Sequence, residues 1–188
     1  MKIKKKIGVI SVIMSALTYL YLLMFISLGT GEGVSLSTYG LWAVLAWISA
    51  VSMKERKIDP TIVIVGAVGT TVITIALVFK RRFGWTNMDS FVAILTVLCM
   101  VLWKTRGPKW SFIFSVLAGA IASIPFIFMT WHDPLKSPII PNLCFLVTFI
   151  LFFISIESKR LEERLIPLVN ISVCASLVTP FIIRSIFG

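Results

Sequence analysis

Two asparagines stand inside long apolar stretches, Asn142 near the start of 140–156 and Asn170 near the start of 165–187. A primary amide carries two donors and an acceptor, so either residue could bind a hydroxyl or an amide of a solute. The other use of such a group is an interhelical hydrogen bond, worth under about 2 kcal/mol. Aromatic side chains concentrate earlier in the chain, at Tyr19, Tyr21, Tyr39, Trp42 and Trp47. Trp42 lies deep enough in its stretch to stack on a flat ligand, and Tyr21 and Tyr39 join it as candidates for a solute pocket, whereas Trp85, Trp103, Trp110 and Trp131 lie where interfacial anchors belong. Thr70 and Thr74 share a helical face, a spacing at which threonines bond the carbonyls of their own helix. Pro125, Pro167 and Pro180 each release a helix carbonyl, and Pro125 is read either as a hinge or as a passive kink.

The ionisable groups speak against acid–base chemistry. No apolar stretch carries a central Asp, Glu, Lys, Arg or His, which disfavours a proton-coupled or cation-coupled pump. The single histidine, His132, lies in a connection beside Asp133, and no Ser-His-Asp set or carboxylate pair accompanies it. An enzyme is therefore not expected, and no catalytic residue is assigned. Cys99, Cys144 and Cys174 fall in apolar runs without metal-ligand spacing and read as small packing residues, so neither a metal nor a cofactor is expected.

The elements that must carry these groups are membrane helices. Of 188 residues, 58% are apolar and 14% charged, against about 45–50% apolar in soluble domains. The charges cluster between long uncharged stretches, and each span needs about 20 residues. Seven spans are expected, at 7–28, 37–53, 61–79, 86–103, 110–131, 140–156 and 165–187, in one all-α integral membrane domain covering 1–188. The first run is longer than a secretory core and no small-residue cleavage pattern follows it closely, so it is read as a retained span. The fourth is the weakest, because its apolar heart, Phe91–Trp103, reaches spanning length only with Asn87, Met88 and Asp89; it is a tilted or peripheral span, or an interfacial helix.

With the N-terminus in the cytoplasm, thirteen of the 18 Lys and Arg fall on that side and five, among them Lys80, Arg81 and Arg82, on the other. Seven spans then leave the C-terminus outside. Although the formal net charge is +10, the basic residues sit at the ends of apolar segments rather than in a stripe interleaved with aromatics, and nucleic acid is not an expected partner.

Spans 1–3 are echoed by spans 5–7 when the second set is slid back by 104 residues: loop 29–36 lies over 133–140 and the basic cluster 54–57 over 158–161. The correspondence is one of hydropathy and loop spacing, with residue identity close to chance. A unit with an odd number of spans inverts when copied directly, and one added span restores its orientation. The expected arrangement is 3+1+3, with repeats over 7–79 and 110–187 joined by a linker helix at 86–103. Such parallel repeats are related by an axis along the membrane normal and hold a site near the midplane.

Two segments carry a resemblance. GEGVSLSTYGLWAVLAW, Gly31 to Trp47, resembles the turn and second helix of a SWEET or PQ-loop repeat, and IPFIFMTWHDPLKSP, Ile124 to Pro138, is similar to the same place in a second repeat. With the span count, the chain looks like a distant, prokaryotic-type relative of that superfamily. It departs from the pattern in Phe126, which follows Pro125 where a glutamine belongs, in Tyr21, which stands where a proline would, and in Gly66, which overlays Asn170. The resemblance implies that Pro125 and Pro141 act as hinges and that Asn170 contributes to the pocket. It further implies a carrier or facilitator for a small neutral or weakly charged solute, working by alternating access between two three-helix bundles. The alternative from another class is a membrane receptor or assembly subunit that moves nothing. The expected partners are the lipid bilayer and a small-molecule solute, with room for a homo-oligomer, and the expected location is a prokaryotic plasma membrane.

Overall fold

The computed structural model describes residues 2–28, 36–80, 87–134, 137–158 and 160–187. Glycine-containing loop 29–35, Arg81, Arg82, Trp85, Lys136 and Lys159, which carry parts of the loop, charge and anchor expectations, lie outside the described residues. Eight helical elements are present among the described residues: α1 (Lys2–Ser27), α2 (Leu36–Glu55), α3 (Thr61–Phe79), α4 (Asn87–Arg106), α5 (Pro108–Ala122), α6 (Ile124–His132), α7 (Ile139–Ser155) and α8 (Leu161–Phe187). Among the described residues, four segments are long and apolar enough to cross a membrane: Ile3–Ser27, Thr61–Phe79, Pro108–His132 and Glu163–Ile186. α7 is apolar but shorter. The uncertain fourth span is helical throughout Asn87–Arg106, although it does not belong to that apolar set.

Helix ends follow local chemistry. α2 stops where Lys57 takes a left-handed conformation (φ 58°), which lets the Ile58 amide donate back to the Met53 carbonyl at 3.0 Å. α4 stops at Gly107 (φ 85°), where the absence of Cβ makes that conformation inexpensive. Within Pro108–His132 the helix is interrupted at Ser123. Pro125 has no N–H for the carbonyl of Ile121 one turn back, so α6 restarts with Pro125 in its first turn.

The chain forms two compact units, Ser35–Ala122 and a split unit of Met1–Val34 with Ser123–Gly188. They cut the chain differently from the expected repeats: α1 groups with α6–α8, while α2 and α3 group with α4 and α5. Hydropathy marks which segments prefer lipid but says little about which helix packs on which, and pairing depends on small and polar seams.

In the contiguous unit α2 is central, packed on α3, α4 and α5. The four helices alternate in direction. Gly40 and Trp47 of α2 meet Thr74 and Thr71 of α3, and the Trp103 indole near the end of α4 donates to Glu55 Oε2 at the end of α2, at 2.8 Å. α2 and α4 therefore run the same way, with α3 and α5 returning. Leu45, Ile48, Val92, Cys99, Ala118 and Ala122 form the apolar core.

In the split unit α1 packs on α7 and α7 on α8. α1 buries Ser11, Ser15, Thr18, Leu22 and Ile26, residues three and four apart on one face, and exposes Val9, Ile13, Leu17, Leu20 and Met24. Hydroxyls over the first half of the buried face with aliphatics outside are the reverse of a helix in a water-soluble protein, and a pattern that lipid solvent selects. The small side chains bring the backbones close, so that a Cβ added at Gly8 would lie 3.5 Å from Ser155 Oγ.

Candidate functional site

The expected site residues fall in both units. In the split unit, Asn142 is buried in the first turn of α7 and its Nδ2 donates to Ser137 Oγ at 3.2 Å. Ser137 Oγ lies 3.1 Å from the hydroxyl of fully buried Thr130, which also reaches the Phe126 carbonyl at 2.9 Å. Asn142 thus anchors a polar cluster that joins α6, the following turn and α7. Asn170 is half-buried, and its Nδ2 donates to the Ile166 carbonyl of its own helix at 2.9 Å. Tyr21 is exposed on α1; its neighbour Tyr19 turns inward, edge-on to Phe145 with ring centroids 4.9 Å apart. Pro141 stands in the first turn of α7, where a missing N–H loses no intrahelical partner.

In the contiguous unit, Tyr39 is buried and meets Trp42 edge-on, with centroids 5.0 Å apart. Trp42 packs on the apolar core, and its indole Nε1 is buried without a hydrogen-bond partner. Thr70 and Thr74 donate to Gly66 and Thr70 carbonyls at 2.8 and 2.7 Å, a use within their own helix.

The residues that sequence reading passed over lie along the same face of α2 as Trp42. Ser49 Oγ is 2.7 Å from Ser115 Oγ of α5, a buried pair in which Ser115 donates onward to the Phe112 carbonyl at 2.8 Å. Because α2 and α5 run in opposite directions, Ser52 and Ser111 occupy the next layer of this seam. Both are fully buried, and neither hydroxyl has a partner. Trp42, Ser49 and Ser52 recur at seven and three residues, the spacing of a helix–helix seam. That spacing was a readable signal, but serine is usually discounted because it so often bonds its own helix.

The seam between α1 and α7 has a counterpart. Thr148 lies seven residues from Ser155, hence on the face of α7 that meets α1, and its fully buried hydroxyl is also unpartnered. A buried hydroxyl or indole N–H without a partner costs about 1–3 kcal/mol relative to one that is satisfied. Four such groups, Trp42, Ser52, Ser111 and Thr148, therefore lie on two small-residue seams, as donors and acceptors of neutral type. They can hydrogen-bond a hydroxyl, an amide or water, and they supply no acid, base or nucleophile activated by a neighbour. Comparison of the chain with protein-family models, with curated proteins and with solved structures finds no match.

Proposed function

We propose that this chain is an integral membrane carrier or facilitator for a small neutral or weakly charged solute, acting by alternating access. The observation that carries the reading is the set of buried, unpartnered hydrogen-bonding groups on the α2–α5 seam, Trp42 Nε1, Ser52 Oγ and Ser111 Oγ. A static scaffold gains by filling such positions with aliphatics, whereas a carrier needs polar groups that find partners when a solute is bound. Their neutrality sets the solute class: uncharged donors and acceptors match hydroxyl and amide groups and leave a full ionic charge unmatched.

Packing within the units supports the duplicated 3+1+3 reading. α1 packs on α7 as α5 packs on α2, and α2 packs on α3 as α7 packs on α8. Exchanging the two halves across the 104-residue offset, α1 for α5, α2 for α7 and α3 for α8, converts the first member of each comparison into the second. The units also divide at the Ser123 break beside Pro125, which supports flexure at that point. On this reading the protein lies in a prokaryotic plasma membrane with its N-terminus in the cytoplasm, as a distant SWEET or PQ-loop relative.

The test is a thermal-shift screen of the purified protein against hexoses, pentitols, small amides, amino acids and organic acids, followed by proteoliposome uptake of any solute that stabilises it. The expected hit is a neutral hydroxylated or amide compound whose uptake is lost in Ser52→Ala/Ser111→Ala. Selective stabilisation by organic acids, or uptake unchanged in that variant, would overturn the assignment of this seam.

A further inference from the structure

A second feature lies at one end of the split unit, away from the seams. Pro180 lies inside α8 and cannot donate to the Ser176 carbonyl, which is left open. The Trp131 indole of α6 takes that carbonyl, donating from Nε1 at 3.1 Å. This bond ties the end of α6 to the proline-bearing end of α8, beside a groove of about 270 Å³ lined by Trp131, His132, Pro134, Pro180, Ile183 and Arg184. Among the described residues its ionisable side chains are both basic types, His132 in the last turn of α6 and Arg184 in the last turn of α8. Its walls are apolar, with Trp131 49% and Ile183 44% exposed.

We infer that this groove binds the headgroup of an anionic phospholipid. The chemistry required is a phosphodiester: a guanidinium presents paired donors that match two phosphate oxygens, and the imidazole adds a third donor. Position argues for a lipid source. The groove lies at the ends of two membrane-length segments, Pro108–His132 and Glu163–Ile186, which is the depth of the headgroup layer. The exposed faces of Trp131 and Ile183 lie beside the basic pair, where the glycerol and first acyl carbons of a lipid would rest; a free phosphate has no use for them.

The test uses the full-length protein in a neutral detergent, with thermal unfolding followed as phosphatidylglycerol, phosphatidylcholine or inorganic phosphate is added. Phosphatidylglycerol at about a hundredfold excess over Kd should raise Tm by roughly 5–10 °C. Phosphatidylcholine and inorganic phosphate should have little effect, and Arg184→Gln with His132→Gln should remove most of the gain while leaving the lipid-free Tm near wild type. If Arg184→Gln does not fold, Arg184→Lys, which keeps the charge but loses the paired donors, should bind phosphatidylglycerol several-fold more weakly. Brominated phosphatidylglycerol in nanodiscs should quench tryptophan fluorescence less in His132→Gln than in wild type. Equal shifts from the two lipids, or an undiminished shift in the double variant, would overturn the site. A shift from inorganic phosphate equal to that from phosphatidylglycerol would overturn the lipid assignment.

Discussion

At the scale of single residues, the α2–α5 seam separates two kinds of buried serine. Ser49 and Ser115 share a bond, and Ser115 also donates to the Phe112 carbonyl, so Ser115→Ala strands the Ser49 hydroxyl and should lower stability by about 1 kcal/mol. Ser49→Ala/Ser115→Ala should lose less than the sum of the single changes, as a double-mutant cycle by chemical or thermal unfolding would show. Ser52 and Ser111 have no bond to lose, and Ser52→Ala should leave stability unchanged or slightly raised while uptake falls. The asparagines invert the emphasis of the sequence. An amide is costly in hydrocarbon, yet Asn170 meets that cost with the Ile166 carbonyl one turn back, while Asn142 reaches across a turn to Ser137. Asn142→Leu should therefore destabilise by about 1–2 kcal/mol, and Asn170→Leu should be milder, with less effect on uptake than Ser52→Ala. Desolvation cost was legible from residue type. Which partner meets that cost depends on what the fold brings within 3 Å, and hydropathy carries no such information.

At the scale of elements, the limits of the helices were largely readable, since the expected 61–79 and 140–156 correspond to Thr61–Phe79 and Ile139–Ser155. α1 begins at Lys2 rather than at the apolar boundary, because lysine is a good helix former and its long stem lets the ammonium reach water. Partnerships were not readable from hydropathy, and the Gly8, Ser11, Ser15, Thr18 seam on α1 emerges only from the fold. The prolines show how one element repairs another. Trp131→Phe would leave the Ser176 carbonyl without its donor and should lower stability by about 0.5–1.5 kcal/mol. Adding Pro180→Ala returns a backbone N–H to that carbonyl, so Trp131→Phe/Pro180→Ala should recover much of the loss in Tm. A merely apolar role for Trp131 predicts no such rescue. Pro125→Ala restores the missing bond at the Ser123 break and stiffens Pro108–His132. Uptake should then slow more than solute binding weakens, whereas parallel losses of binding and of folded protein would identify a passive kink.

At the scale of the whole molecule, the direction of α4 decides the topology. If the fourth segment lay along the surface, the charge clusters before and after it would belong to differently counted sides. The bond from Trp103 to Glu55 sets the ends of α2 and α4 together, with α3 running back between them. Lys54 and Arg106 accordingly belong to the same end of the contiguous unit. On the proposed orientation, which rests on the Lys and Arg count alone, that end would face the cytoplasm, as would the N-terminus and Arg160. In a background with Cys99, Cys144 and Cys174 replaced, Lys54→Cys and Arg106→Cys should respond alike to a membrane-impermeant maleimide. Both should be protected in intact cells and labelled after permeabilisation, as should Lys4→Cys and Arg160→Cys. Labelling of Lys54→Cys and Arg106→Cys from opposite sides would contradict the alternation of α2, α3 and α4. Labelling of Lys54→Cys and Arg160→Cys from opposite sides would instead remove the parallel relation between the two halves, and with it the reason to expect alternating access from a duplicated bundle.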